Sequence, residues 1–377
     1  MLETVIYGVR EMKDFLEHYK VKLTVRGPVF VGNGHEFSKK EYLFLPGQRV
    51  GIVDIQKMYQ LMGRKGRIRQ FEDFMLSSYA DLGRWLDNER LKQDVERQCI
   101  AYTLDRGDTV LERGTRTQIM ACMKEAGGRP YIPGSTLKGM LRSILAADYL
   151  LKNSRLRDNM QREIERELPM TRNRKSCLAR TVKGLEAKIF CRLNREHTRP
   201  NDAVNDILSG LVVSDSEPLD IKALVLAQKI ERRVDGTEKT LNLLRESLRP
   251  GTEIKFTLTI DHSLCSLTKA DILQAIECFD ENYSDNFLAA YSGVDRLRPP
   301  QVYVGGGAGF VSKTLLYPLM GKKDGIETAV QIFDKTRVPR EHKHREDKRL
   351  GVSPHIIKCT HYKGQTLQMG LCDVVID

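Results

Sequence analysis

Polar and apolar residues alternate along residues 20–31, with Val21, Leu23 and Val25 on one side. That period of two predicts a half-buried strand, punctuated at Gly27-Pro28. Gly32-Asn33-Gly34 follows and predicts a turn, because these residue types tolerate positive φ. Apolar runs predict short strands at 42–45 and 50–53. Between 54 and 96 the spacing becomes helical, with Met58, Leu61, Phe71, Phe74, Met75, Leu82, Trp85 and Leu86 as the apolar set. Residues 99–123 predict strand, turn and strand around Arg106-Gly107-Asp108. The strongest helix is 137–151, where Leu137, Met140, Leu141, Ile144 and Leu145 form the i, i+3, i+4 stripe of a helix buried on one side.

Further along, strands are predicted at 211–213, 221–226 and 253–260, the last strictly alternating through Ile254, Phe256, Leu258 and Ile260. Thr268-x-x-Asp271 opens a helix as a capping box and the helix runs to about 291. Helices from 312 and over 326–333 come next, then terminal strands at 355–362 and 366–376. Each half of the chain therefore carries about four strands and two helices. Antiparallel strands with helices on one face make an α+β sandwich, and the order predicts two, over residues 1–199 and 200–377. Helical insertions fall at about 54–96 and 152–199.

Charge adds a partner to this picture. The 377 residues carry 61 Lys+Arg and 50 Asp+Glu, a net charge of +11, which favours a polyanion. Residues 152–199 hold 14 Lys/Arg against six Asp/Glu, so most of the excess sits there. A second patch, Arg64, Lys65, Arg67 and Arg69, has no acid within it. No apolar run reaches the ~18–20 residues of a membrane span, and the first residues lack a signal-peptide pattern, so a reducing cytoplasm is the expected compartment. No two of the eight cysteines stand closer than 13 residues, and His342-Lys343-His344 lies among Arg and Lys. Neither pattern makes a zinc motif; the expectation is no metal and no cofactor.

Two glycine-rich stretches carry candidate chemistry. Residues 128–139 (GRPYIPGSTLKG) run into the strong helix. Pro130 and Pro133 set an extended approach, Gly134 allows a tight turn, and Ser135 or Thr136 can cap the helix. The free N–H groups of such a helix start attract anions, and Lys138 and Arg142 share a face beside it. The spacing is not that of a Walker A loop. In Gly305-Gly306-Gly307-Ala308-Gly309-Phe310, four glycines in five positions predict a loop that wraps a backbone closely, with Lys313 just beyond. Phe310 breaks the dinucleotide-binding pattern.

The stretch 130–142 (PYIPGSTLKGMLR) resembles, almost letter for letter, the central motif of the RAMP superfamily of CRISPR RNA-binding proteins. Pro28 to Gly34, Val213-Ser214-Asp215-Ser216, Gly305 to Lys313, Ser353 to Lys358 and Gln368-Met369-Gly370 occur in the family's order. The resemblance implies ferredoxin-like (RRM-like) modules and a subunit of a type III-A (Csm) effector complex, present once per complex. Such a subunit caps the 3′ end of the crRNA, assists its maturation, and meets target RNA, the backbone subunit and the small helical subunit. The implied RNA-binding residues are Gly32, Asn33, Gly34, His35, Ser135, Thr136, Lys138, Arg142, Gly305, Gly306, Gly307, Gly309 and Lys313. They would grip backbone rather than bases, since guides vary in sequence. The superfamily's base-inserting thumb hairpin would fall at 99–123.

Related backbone subunits cut RNA with an aspartate shortly before this motif, but here nearly a hundred residues separate Gly34 from Pro130. Asp54 reads as a helix cap, and Asp105 and Asp108 as turn residues. The expectation is therefore a non-catalytic subunit. The alternative is a metal-independent crRNA-processing endoribonuclease, with His35 or Tyr42 as general base.

Overall fold

The alternation at 20–31 becomes the centre of a sheet. A computed structural model describes residues 15–78, 81–109 and 117–377. In chain order, β1 (Leu16–Val25), β2 (Gly32–Phe37), β3 (Tyr42–Leu45) and β4 (Arg49–Val53) precede four short helices. These are α1 (Ile55–Arg64), α2 (Ile68–Leu76), α3 (Leu82–Glu89) and α4 (Lys92–Gln98). Next come β5 (Ile100–Asp105), β6 (Ile119–Cys122), α5 (Gly134–Lys152), α6 (Ser154–Met170) and α7 (Ala179–Phe190). The second half contains β7 (Leu211–Val213), β8 (Leu224–Arg233), β9 (Glu238–Leu248), β10 (Glu253–Asp261) and α8 (Lys269–Asn286). It closes with β11 (Gln301–Tyr303), α9 (Leu316–Lys335), α10 (Asp347–Leu350), β12 (Ile356–Tyr362), β13 (Gln365–Gln368) and β14 (Leu371–Ile376).

The chain is α+β, with two sheets. One is antiparallel throughout, in the order β11-β14-β1-β10-β7. Val21 pairs with Phe256 on one side and Ile376 on the other, so the buried faces of three strands coincide. The second runs β2-β6-β9-β8-β5-β4-β3, with β12 and β13 attached to β8. This sheet departs from the all-antiparallel expectation, because β6 pairs with β9, and β5 with β8, in parallel. Each sheet draws strands from both sides of residue 199.

The same pairing corrects the reading of 99–123. β5 and β6 are not a hairpin: β9 and β8 lie between them in the sheet, and residues 110–116 fall outside the described residues. Three other elements differ from expectation. β9 was not anticipated, the helices expected from 312 and at 326–333 form one helix kinked at Gly321, and 366–376 splits into β13 and β14, which lie in different sheets. Gly370, at φ 82°, makes the turn between them.

The helices of 55–98 bury Met58, Leu61, Phe71, Phe74, Leu82 and Leu86 in a small core of their own against Leu43 and Val53. Asp54 caps α1, accepting from Lys57 N at 3.1 Å. Two of the four cations in the basic patch beside this core are paired locally, Lys65 with Asp94 at 2.7 Å and Arg67 with Glu89 at 3.2 Å. No helix among the described residues is long and apolar enough to cross a membrane.

One buried acid in the main core makes stability depend on pH. Asp280 on α8 accepts the Gln301 N–H at 2.8 Å, while its other oxygen has no partner, and burial raises its carboxyl from 3.8 to about 7. Between about pH 4 and 7 the unfolded chain ionises this group and the folded chain does not, so stability falls as pH rises through that window, by an amount on the order of 4 kcal/mol. Denaturant midpoints at pH 5 and pH 8 should therefore diverge in the wild type and converge in Asp280→Asn. Equal pH dependence in both proteins would contradict the assignment.

Candidate nucleic-acid interface

The glycine-rich loop folds directly onto the segment that follows β1. Gly306 N donates to Phe30 O, and a Cβ on Gly305 would lie 2.2 Å from the same carbonyl, so this approach admits glycine alone. Gly370 N donates to Pro28 O at 2.9 Å, and Val304 N donates back to Gly370 O at 2.8 Å. Met369 N donates to Lys358 O at 3.1 Å. Four stretches distant in sequence, around residues 28–32, 304–310, 358 and 368–370, thus meet at one place.

Gly32, Asn33, Gly34 and His35 are exposed beside it, but not as a turn. They begin β2, an edge strand, and the register against β6 shifts between Gly32 and Glu36. The shift takes residues 33–35 out of the ladder as a bulge, which Gly34 allows at φ 88°. Asn33 Oδ1 accepts from His35 N at 2.9 Å, and His35 Nε2 lies 3.4 Å from Glu41.

Cations from the neighbouring strands crowd the glycine loop. A Cβ on Gly307 would stand 3.1 Å from Arg245 Nη1, and one on Gly309 would stand 3.9 Å from Lys358 Cγ. Arg245, on β9, packs its guanidinium over the Phe30 ring at 5.4 Å, and its buried Nε has no hydrogen-bond partner. Burial holds its guanidinium below the ordinary arginine range. The Lys313 side chain reaches solvent, yet its crowded surroundings and then the Arg245 charge hold its ammonium below the usual lysine range. Neither residue has an ion pair among the described residues. Lys229 and Lys358, by contrast, share Glu231, at 3.3 and 2.6 Å. Lys124 is also spent, since it pairs with the fully buried Glu246, which accepts from Cys122 N at 2.9 Å as well. The free positive charge of the site is thus Arg245 and Lys313. A partly buried arginine and an exposed lysine, neither paired, beside a glycine-lined backbone are groups of the kind that receive phosphate oxygens.

The helix start differs from expectation. Helix α5 begins at Gly134, so Ser135 and Thr136 lie in its first turn and neither side chain caps it. Asp215 takes the anion's place, accepting from Gly134 N at 2.8 Å. Ser216 accepts from Ile132 N through Oγ at 2.9 Å and donates its N–H to Ile132 O. One N–H of the helix start expected to meet phosphate, that of Gly134, is thus taken by a carboxylate of the same chain. Arg142 is likewise engaged: it meets Asp206 at 2.6 Å and Glu186 at 3.3 Å, with its guanidinium 4.2 Å above Phe190. Lys138 lies nearby in partial burial, which lowers its ammonium, while Asp206 opposes that shift. Arg142 and Lys313 do share one feature, the wall of a largely apolar cavity of about 360 Å³ between α5, α7 and α9. Sequence reasoning missed Arg245, which sits in a strand without any motif, and used Lys358 only as part of a pattern.

The chain matches the RAMP superfamily over residues 22–294. It belongs to the RAMP superfamily. Within that superfamily its relatives are Csm5 proteins. It is 31% identical to the CRISPR system protein Csm5 of Mycobacterium tuberculosis, over 97% of this chain and 99% of the relative. It is 25% identical to Csm5 of Streptococcus thermophilus, over 81% and 82%. Among solved structures, a chain of a cryo-EM Csm–crRNA–target RNA ternary complex of a type III-A system has a TM-score of 0.59 at 16% identity, covering 95% of this chain and 100% of that one. The crystal structure of T. onnurineus Csm5 has a TM-score of 0.57 at 17% identity, covering 93% and 99%. These likenesses place this RAMP protein in the Csm5 family and bear out the α+β architecture. The stretches singled out in the sequence also gain a physical reading: 213–216 locks 130–142, residues 28–32, 304–310, 358 and 368–370 meet beside Phe30, and Ser353 and His355 pack on Asp347.

Proposed function

We propose that this RAMP protein is a non-catalytic crRNA-binding subunit of a type III-A CRISPR-Cas complex that caps the 3′ region of the guide. It contributes there to crRNA maturation and assembly, beside the backbone and small helical subunits and with target RNA in reach. The observation that carries this reading is the pair of cations without ion partners among the described residues, partly buried Arg245 and exposed Lys313, beside the loop of Gly305, Gly306, Gly307 and Gly309. The exposed bulge at Gly32 to His35 extends that surface. Contacts of this kind hold phosphate and sugar, as a subunit serving guides of every sequence requires. The non-catalytic part is supported by Tyr42, one of the two candidate bases. Tyr42 is buried and donates to Thr117 O at 2.8 Å, and burial raises its phenol far above the usual range. His35, exposed and 3.4 Å from Glu41, stays the candidate base that the cleavage test addresses.

Filter binding of a guide-length RNA across salt concentrations tests the reading. Four or so phosphate contacts predict roughly a 50-fold loss of affinity between 50 and 200 mM salt. Salt-independent retention would identify a protein scaffold instead. Metal-free RNA cleavage that disappears in His35→Ala would overturn the non-catalytic assignment and favour a processing endoribonuclease.

A further inference from the structure

The segment between α9 and β12 buries little apolar surface. Residues 336–355 contain two short 3₁₀ turns and the four-residue α10, and the buried side chains there are Asp347, Val352, Ser353, Pro354 and His355. Something polar must organise this stretch. Asp347, with no exposed surface, stands at its centre. One carboxylate oxygen meets His355 Nδ1, and the other lies 3.1 Å from His344 Nδ1 and 2.6 Å from Ser353 Oγ. His355 is 3% exposed and His344 14%.

We propose that His344, Asp347 and His355 form a divalent transition-metal site, with zinc as the fitting ion. Their ligand atoms all lie within 4.8 Å of one another, and a tetrahedral ion with bonds of ~2.0–2.2 Å separates its ligands by roughly 3.3–3.5 Å. Small side-chain rotations bring the three donors to that spacing. Two imidazoles and a carboxylate are the donor set that zinc, cobalt and nickel prefer over magnesium or calcium.

The outer shell is built as metal sites require. Ser353 Oγ donates to Asp347, and Ser353 is itself fixed by Tyr317, whose hydroxyl donates to Ser353 O at 2.8 Å and accepts from Ser353 N at 3.0 Å. The Phe333 ring closes one side, 4.2 Å from the His344 ring. His344 alone opens to solvent, which leaves an entry path and room for water as fourth ligand. The nearby cations Arg340, Lys343, Arg345, Lys348 and Arg349 are all exposed, so water and salt screen them from the site. The sequence suggested His342 and His344 as the only histidine pair. The fold instead joins His344 to His355, because α10 turns the chain back on itself. His355 stands three residues before Lys358, so a metal here fixes the strand that lines the RNA surface.

The test uses the purified full-length chain, stripped with a chelator and titrated with Zn(II), or with Co(II) as the spectroscopic probe. We expect one equivalent bound and visible d–d bands from nitrogen and oxygen donors, without thiolate charge transfer. Saturating zinc should raise the unfolding temperature by about 3 °C, and His344→Ala should weaken binding at least ~10-fold. His197→Ala, at an exposed histidine elsewhere, should bind as the wild type does. The site is refuted by binding of less than about 0.1 equivalent at micromolar free zinc, by a thiolate-type cobalt spectrum, or by unchanged affinity in His344→Ala.

Discussion

Alanine at both Arg245 and Lys313 should lower guide-RNA affinity by roughly 10²–10³-fold while leaving thermal stability unchanged or slightly raised. The two halves of this expectation come from the same cause. Each cation is partly withdrawn from water, neither has an ion pair among the described residues, and the Arg245 charge disfavours the charged form of Lys313. In the free protein that arrangement is a cost. A phosphate entering between them relieves it, through charge-assisted hydrogen bonds of about 1.5–3 kcal/mol each, and about 1.4 kcal/mol is tenfold in affinity. A structural arginine behaves the opposite way, as Arg142 illustrates: its removal leaves Asp206 without its 2.6 Å partner, so stability falls first. Filter binding together with thermal unfolding separates the two. If affinity stays within threefold of wild type, or stability drops along with it, the cations belong to the fold rather than to the RNA.

Local signals in the sequence were good guides to local structure. The apolar pattern at 42–45 and the stripe through Leu137, Leu141 and Ile144 became β3 and the buried face of α5, because period and burial are properties of neighbouring residues. Pairing between distant segments left no such trace. Nothing in the spacing of 99–123 shows that β8 and β9 enter between its two strands, nor that β1 sits between β10 and β14. The candidate site divides along the same line. The glycines of the 305–309 loop were legible because three of them need positive φ and one meets a carbonyl that excludes a Cβ. The charges were harder to judge. A lysine or arginine in a motif shows that a cation is present, and only the fold shows whether an acid already satisfies it. Asp206 does so for Arg142, Glu246 for Lys124 and Asp94 for Lys65, whereas Arg245 is left alone.

Gly134→Ala should cost about 3–5 kcal/mol or prevent folding outright. A Cβ at this position would lie 2.3 Å from Val213 O and 2.4 Å from Ser214 O. Both are backbone atoms at the end of β7, where Val213 pairs with Leu258 of β10, so they cannot swing aside as a side chain can. Retreat of the helix would also break the bond from Gly134 N to Asp215 and the pair between Ile132 and Ser216. Helix propensity argues the other way, since alanine is preferred to glycine inside a helix by about 1 kcal/mol. Gly139, on the next turn of α5, isolates that term, because nothing lies within 4 Å of the place its Cβ would take. Gly139→Ala is therefore expected to stabilise the chain by about 0.5–1 kcal/mol. The same substitution five residues apart in one helix should shift the denaturant midpoint in opposite directions. Shifts of the same sign would mean that the 130–142 motif keeps its glycine for some reason other than its contact with residues 213–216. The opposite shifts would tie the turn at Gly134 to docking against residues 213–216.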